Sequence, residues 1–183
     1  MSPGSLADSV RLAARLSSEL AEYAVSIEDS VPPEVGATEA LTPEDQLLGS
    51  FDERITDTDL RQAARARFVS THYSDAVEAG VKILNEGIRA RTGRTEDGDG
   101  LMTVVFSPAK PLLRLNRLKS KADESAQRGH MFLCQGVVAA WRNPRAHDNL
   151  DDAPQKALMM LETINELILV SKAAVRTRQR RKP

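Results

Sequence analysis

Cysteine, aromatic side chains and clusters of metal ligands are all scarce in this 183-residue chain, and each scarcity closes off a class of function. The single cysteine, Cys134, cannot form an internal disulfide, so a disulfide-stapled secreted domain is excluded and a reduced thiol in the cytoplasm is expected. Aromatic residues make up 4% of the chain while Ala, Leu and Val abound, a mix that favours helices over sheet. No basic stretch followed by an apolar run stands at the N-terminus, and no apolar run is long enough to span a bilayer, so neither secretion nor a membrane is expected. The three histidines and one cysteine show no metal-ligand spacing, and neither a metal nor another cofactor is implied. The loop around Glu96–Asp97–Gly98–Asp99 fails as a calcium loop: Thr95 would stand first and Phe106 twelfth, where a bidentate Glu is needed.

What is present is ordinary for a globular chain, 41% hydrophobic and 28% charged, and the length suits one core of about 110 to 130 residues plus an appendage. The formal charge of −1 hides a division. Residues 1–60 carry 13 Asp and Glu against 3 Arg, a balance of −10, whereas residues 61–183 carry 22 Lys and Arg against 13 Asp and Glu, a balance of +9. Either the cationic part is suited to a polyanion such as RNA, with the acidic part able to shield it, or both balances are spread over solvated faces.

Hydrophobic periodicity divides the chain further. Leu6, Val10, Ala13, Leu16, Leu20, Tyr23 and Ile27 recur at steps of three and four and predict an amphipathic helix within residues 1–28. Residues 29–55, with Pro32, Pro33, Gly36, Pro43 and Gly49 among carboxylates, read as an acidic linker. A helical domain is predicted over residues 56–175. Thr56 or Asp57 caps its first helix, and Ser70–Thr71 turns into a second in which Ala76, Val77, Gly80, Val81, Leu84 and Ile88 face inwards and Gly93 closes the end. Residues 107–123 form a basic, irregular connection. Residues 153–174 predict a last helix burying Ala157, Leu158, Leu161, Ile164, Leu167, Ile168 and Ala174, capped from the acidic stretch 148–152, and residues 176–183 are a basic tail.

The chemistry concentrates at Trp141–Arg142–Asn143–Pro144–Arg145–Ala146–His147. Residues 124–142 are apolar nearly all round, which places this helix inside a bundle. Pro144 lacks a donor and crowds the carbonyl four residues back, so the helix is expected to stop or kink near Arg142, with Asn143 extended as an N-cap for a short new turn. On one straight helix, side chains five residues apart stand about 140° apart, so a break would let Arg142 and His147 converge.

Arg142 with His147 five positions on matches the Arg-x4-His motif of the HEPN superfamily of helical nucleotide-binding and ribonuclease domains. Gln127–Arg128–Gly129, the run Met131–Phe132–Leu133–Cys134–Gln135–Gly136, and upstream Phe68, His72–Tyr73, Ala76–Val77, Glu78–Ala79, Arg89, Thr92–Gly93 and Asp99–Gly100–Leu101–Met102 resemble the Ymh-type, phage-defence branch of that superfamily, over about residues 57–172. The resemblance implies an all-α, HEPN-like bundle of about five helices with an additional N-terminal helix on an acidic linker. It also implies a homodimer whose two motifs face each other, so that two Arg and two His line one cleft for metal-independent RNA cleavage. In that reading Arg142 and His147 are catalytic, while Asn143 and Arg145 bind RNA or shape the site. A toxic effector of a defence or toxin-antitoxin system follows, with an antitoxin or defence partner engaging the N-terminal helix. Some members of the superfamily are noncatalytic dimerisation or nucleotide-binding modules, and that is the competing expectation. The tyrosine that a partner nucleotidyltransferase modifies in one subgroup is replaced here by Asn149.

Overall fold

The computed structural model describes residues 42–147 and 151–177, except for the side chains of Ala146 and His147. The predicted helix within residues 1–28, most of the linker, and the stretch 148–150 and the end of the basic tail lie outside the described residues. The helices below belong to one compact unit that begins at Leu41. The elements are α1 (Pro43–Arg54), α2 (Thr58–Val69), α3 (Tyr73–Thr92), α4 (Gly98–Phe106), β1 (Leu113–Arg114), α5 (Lys121–Val137), a π-helical segment (Val138–Arg142), α6 (Asn143–His147), α7 (Pro154–Ala173) and β2 (Val175–Arg176). The architecture is an all-α helical bundle with a two-stranded antiparallel ribbon, Leu113 opposite Arg176.

The linker expectation for residues 29–55 does not hold at its C-terminal end. Thr42 and Asp45 cap each other: the Thr42 hydroxyl accepts from the Asp45 N–H at 3.1 Å, and the Asp45 carboxylate accepts from the Thr42 N–H at 3.2 Å. Pro43 supplies the first helical residue with its φ already set, so a helix starts where proline suggested none. Phe51 and Ile55 are fully buried, and the Phe51 ring lies 4.8 Å from that of Phe68. The helix is mostly polar and meets the core through Leu47, Phe51 and, just past its end, Ile55.

Helix α3 is the central strut, packed against α2 and α7 on one side and against the π-helical segment and α6 on another. All six of its predicted inward residues are buried. At Gly80 a Cβ would stand 3.0 Å from Leu60 Cδ1 and 3.1 Å from Leu161 Cδ2, so glycine sets the close approach of α2, α3 and α7. Gly93 ends α3 in the left-handed conformation at φ +69°. The α1–α2 junction is tied down from α7, where the Asn165 amide oxygen accepts from the N–H groups of Thr56 and Asp57 at 3.0 and 2.9 Å. The Asp57 carboxylate caps Leu60 at 3.0 Å and meets Lys172 at 2.6 Å.

The irregular connection 107–120 is held by a glutamine. Gln127 is fully buried; its Nε2 donates to the carbonyls of Phe106 and Leu113, both at 3.0 Å, and its Oε1 accepts from Leu115 N–H at 2.9 Å. One side chain thus pairs three backbone groups that have no sheet or helix partner of their own. The tail expectation is corrected at its start: Arg176 lies in β2, and the Thr177 N–H donates to the Leu112 carbonyl at 2.8 Å.

Candidate functional site

Helix α5 starts at Ser120, whose hydroxyl accepts from Asp123 N–H at 3.1 Å. Its buried face carries Gln127, His130, Met131, Cys134 and Val137. The expectation of burial all round is corrected: Phe132 and Leu133 are 57% and 58% exposed, and Gly136, Ala139 and Ala140 are exposed beside them. These residues recur at steps of three and four and form one apolar strip with small residues at its centre.

The break expected at Pro144 takes a different form. The chain widens into π-turns, the Asn143 N–H donating to the Val138 carbonyl five residues back, and Asn143 is helical at φ −59°, ψ −46°, not extended. Widening the coil by one residue moves the carbonyls out of register with the proline ring, so the helix passes through Pro144 into α6 without stopping. Asn143 is therefore no N-cap; its side chain is exposed. The backbone of His147 closes α6.

The two motif arginines have different surroundings. Arg142 is 25% exposed on its side chain, and its Nη1 donates to Asp97 Oδ2 at 2.7 Å. Burial pushes the Asp97 carboxyl up, but hydrogen bonds from Arg142 and the Gly98 N–H, with the charges of Arg142 and Arg89, outweigh it and hold the group below its ordinary range. Arg145, in contrast, is closed to solvent. Its side chain is 4% exposed; Nε and Nη2 both donate to Asp152 Oδ2, and Nη1 donates to the Trp141 carbonyl at 2.7 Å. Asp152 also receives the Ser74 hydroxyl at 2.9 Å and Lys156 at 3.2 Å. This overturns the capping expectation for Asp152: α7 begins at Ala153 with no side-chain cap, and the carboxylate faces inwards. Arg145 is therefore held inside the fold, joining α6 to the start of α7.

His130 is also a structural group. Its ring sits edge-on to Phe106 with centroids 4.8 Å apart, and Nε2 lies 3.1 Å from Ser171 Oγ and 3.6 Å from Cys134 Sγ. Burial lowers the imidazole to about 4 and pushes the Cys134 thiol up to about 12, so both are neutral near pH 7. Asp97 and Asp152 were missed as site residues. Both pair with arginines across turns, 45 and 7 residues away, where periodicity carries no signal. Among the described residues no group of three or more His, Cys, Asp or Glu side chains is placed to hold a metal ion, and no helix is long and apolar enough to cross a membrane.

Fold and site together define an all-helical bundle that carries an arginine on a π-bulge opposite a loop carboxylate. The chain belongs to the Hypoth_Ymh family, described as a protein of unknown function, whose model matches residues 54–169. No curated protein and no solved structure matches the chain.

Proposed function

We propose that this protein is a metal-independent endoribonuclease of the HEPN type, acting in the cytoplasm as the toxic effector of a prokaryotic phage-defence or toxin-antitoxin system. The observation that carries the reading is the π-bulge. It holds Arg142 partly open to solvent with one guanidinium nitrogen engaged, and it leads directly into the short helix that ends in His147. Single π-turns inside α-helices are frequent at functional sites.

Cleavage by 2′-hydroxyl attack needs a base for that hydroxyl, a cation for the charge that develops on the phosphorane, and an acid for the departing 5′-oxygen. An imidazole with an ordinary pKa of about 6.5 serves as base or acid near neutral pH, and a guanidinium presents a planar, permanently charged fork to phosphate. One protomer supplies one arginine and one histidine of the motif. A homodimer with the motifs facing supplies two of each, so that one histidine is the base and the other the acid. The exposed strip of Phe132, Leu133, Gly136, Ala139 and Ala140, continuous with the π-bulge, supports self-association on that side of the molecule. In this reading the N-terminal helix expected within residues 1–28 engages an antitoxin or another defence-system partner.

Incubating the purified chain with total RNA in EDTA, beside a His147→Ala control, tests the reading. The expected result is cleavage by the wild type alone, with 2′,3′-cyclic phosphate or its hydrolysis product on the upstream fragment and DNA left intact. Loss of cleavage in EDTA, or full activity of a folded His147→Ala protein, would reassign the motif to the noncatalytic binding module.

A further inference from the structure

Arg89 on α3 and Arg142 on the π-helical segment both bear on the Asp97 carboxylate, Arg142 by a hydrogen bond and Arg89 through its charge. Ser74 and Asn85 are eleven residues apart on α3, three full turns, and so share one face; Ser74 on that face reaches Asp152, the partner of Arg145 in α6. Arg89 stands one turn beyond Asn85. Asn85 is 1% exposed, yet neither its amide oxygen nor its amide nitrogen has a hydrogen-bond partner. Arg89 is half-buried and, among the described residues, has no ion pair or side-chain hydrogen bond. Arg142 spends one nitrogen on Asp97, and its other two have no partner among the described residues.

The anion between the arginines is a loop carboxylate. Asp97 occupies the cap position of α4 but makes no capping hydrogen bond; its carboxylate turns to Arg142, and it is followed by Gly98 at φ +56°, a conformation that glycine adopts without strain. The Asp97 side chain is 43% exposed, so it can leave for water at little cost. Charge-assisted pairs of this kind are exchangeable: a phosphate oxygen replaces a carboxylate oxygen on the same guanidinium donor.

We infer that Arg89 and Arg142 form a two-arginine site for a backbone phosphate of single-stranded RNA, and that the Asp97 carboxylate fills this site in the free protein and is displaced by the substrate. The inference rests on the RNA-binding half of the proposed function and extends it to a residue on α3 and to a built-in competitor. Asp97 keeps the Arg142 fork in place when no substrate is bound, and it raises the threshold for phosphate to enter.

The test is equilibrium binding of a fluorescent 2′-O-methyl oligoribonucleotide, which lacks the nucleophile and cannot be cleaved, to the full chain at several salt concentrations. Asp97→Asn is expected to bind more tightly than wild type. Arg89→Gln is expected to bind more weakly, with a salt slope shallower by about 0.7, the value for one lost single-strand phosphate contact. In the Arg89→Gln/Asp97→Asn double variant the gain from Asp97→Asn should shrink, because one of the two cations it uncovers is gone. Helical circular dichroism and the urea midpoint establish that each variant is folded. Should Arg89→Gln misfold, Arg89→Lys replaces it, with weaker binding and an unchanged slope expected because the charge remains without the fork. Binding by Asp97→Asn that equals or falls below wild type overturns the displacement, and an unchanged affinity in folded Arg89 variants overturns the site. Cleavage of unmodified RNA, measured in parallel, separates the two readings: the binding pattern without cleavage removes the nuclease and keeps the phosphate site, and cleavage with wild-type binding in the variants does the reverse.

Discussion

Arg145 and Asp152 form an ion pair closed to solvent, their side chains 4% and 2% exposed, joining the helix after the π-bulge to the start of α7. Burial alone pushes the Asp152 carboxyl up; hydrogen bonds from Arg145, Ser74 and Lys156 outweigh it and hold the group below its usual range. Removing one partner leaves the other charge buried and alone, which typically costs about 3–5 kcal/mol. Arg145→Met is therefore expected to lower the urea-unfolding free energy by that order, and Arg145→Met/Asp152→Leu to recover much of it. A loss in the double variant equal to the sum of the losses in Arg145→Met and Asp152→Leu would show that the pair contributes nothing beyond the individual side chains. Ser74→Ala should cost less, about 1.5–3 kcal/mol, the usual range for one hydrogen bond to a charged group, because the carboxylate keeps its other partners.

His130 makes the fold sensitive to acid. Its folded pKa of about 4 lies below the ordinary 6.5, so the unfolded chain binds the extra proton first as pH falls. The stabilisation from the neutral ring is complete above pH 6.5, declines from there to pH 4, and is gone below it. A shift of this size corresponds to about 3 kcal/mol. The depressed carboxylates Asp52, Asp97 and Asp152 also lose their stabilisation as pH falls, so the informative quantity is a difference. The stability of wild type minus that of His130→Gln should fall by about 3 kcal/mol between pH 6.5 and 4 and be flat above pH 7. A flat difference across the whole range would show that the ring is already solvated in the native state.

Much of the bundle was legible in the sequence, because α3 and α7 bury one stripe along twenty residues each and the apolar period reports that directly. Gly93 was legible as a helix end for the same local reason. Helix α1 was not: its core contact is made by a few residues, Leu47, Phe51 and Ile55, set among polar residues and next to Pro43 and Gly49, which read as a linker. Nor could the sequence distinguish a stopped helix from a π-bulge at Pro144, since both relieve the same clash between ring and carbonyl. Long-range polar pairings were the least visible. Asp152 follows an acidic run and precedes Pro154, the pattern of a cap, yet Arg145 and Ser74 draw its carboxylate inwards.

The α1 result moves the start of the domain. Phe51 is fully buried and stacked near Phe68, so Phe51→Ala should destabilise by about 3–5 kcal/mol, the usual cost of truncating a buried phenylalanine. A chain starting at residue 42 should keep the urea midpoint of the full chain, and one starting at residue 56 should lose the cooperative transition. An identical midpoint in all three would place Phe51 outside the core.

The last prediction concerns the exposed strip on α5. Phe132 and Leu133 together present a patch next to the π-bulge, and Gly136 and Ala140, four residues apart, let a second helix approach closely. If the active species is a homodimer with facing motifs, a charge in this strip must separate the subunits without touching the core beneath, where Met131, Cys134 and Val137 point the other way. Phe132→Glu is expected to change the light-scattering mass from twice that of the chain to once, to leave helical circular dichroism unaltered, and to abolish RNA cleavage at low micromolar concentration. Gly136→Leu should do the same through bulk alone, because no described residue lies within 4 Å of an added Cβ. Mixing His147→Ala with Arg142→Ala protomers gives a further check, since a mixed dimer retains one arginine and one histidine of the four. Full activity in a monomeric Phe132→Glu protein would rule out the composite cleft and leave a single protomer to supply base, acid and cation by itself.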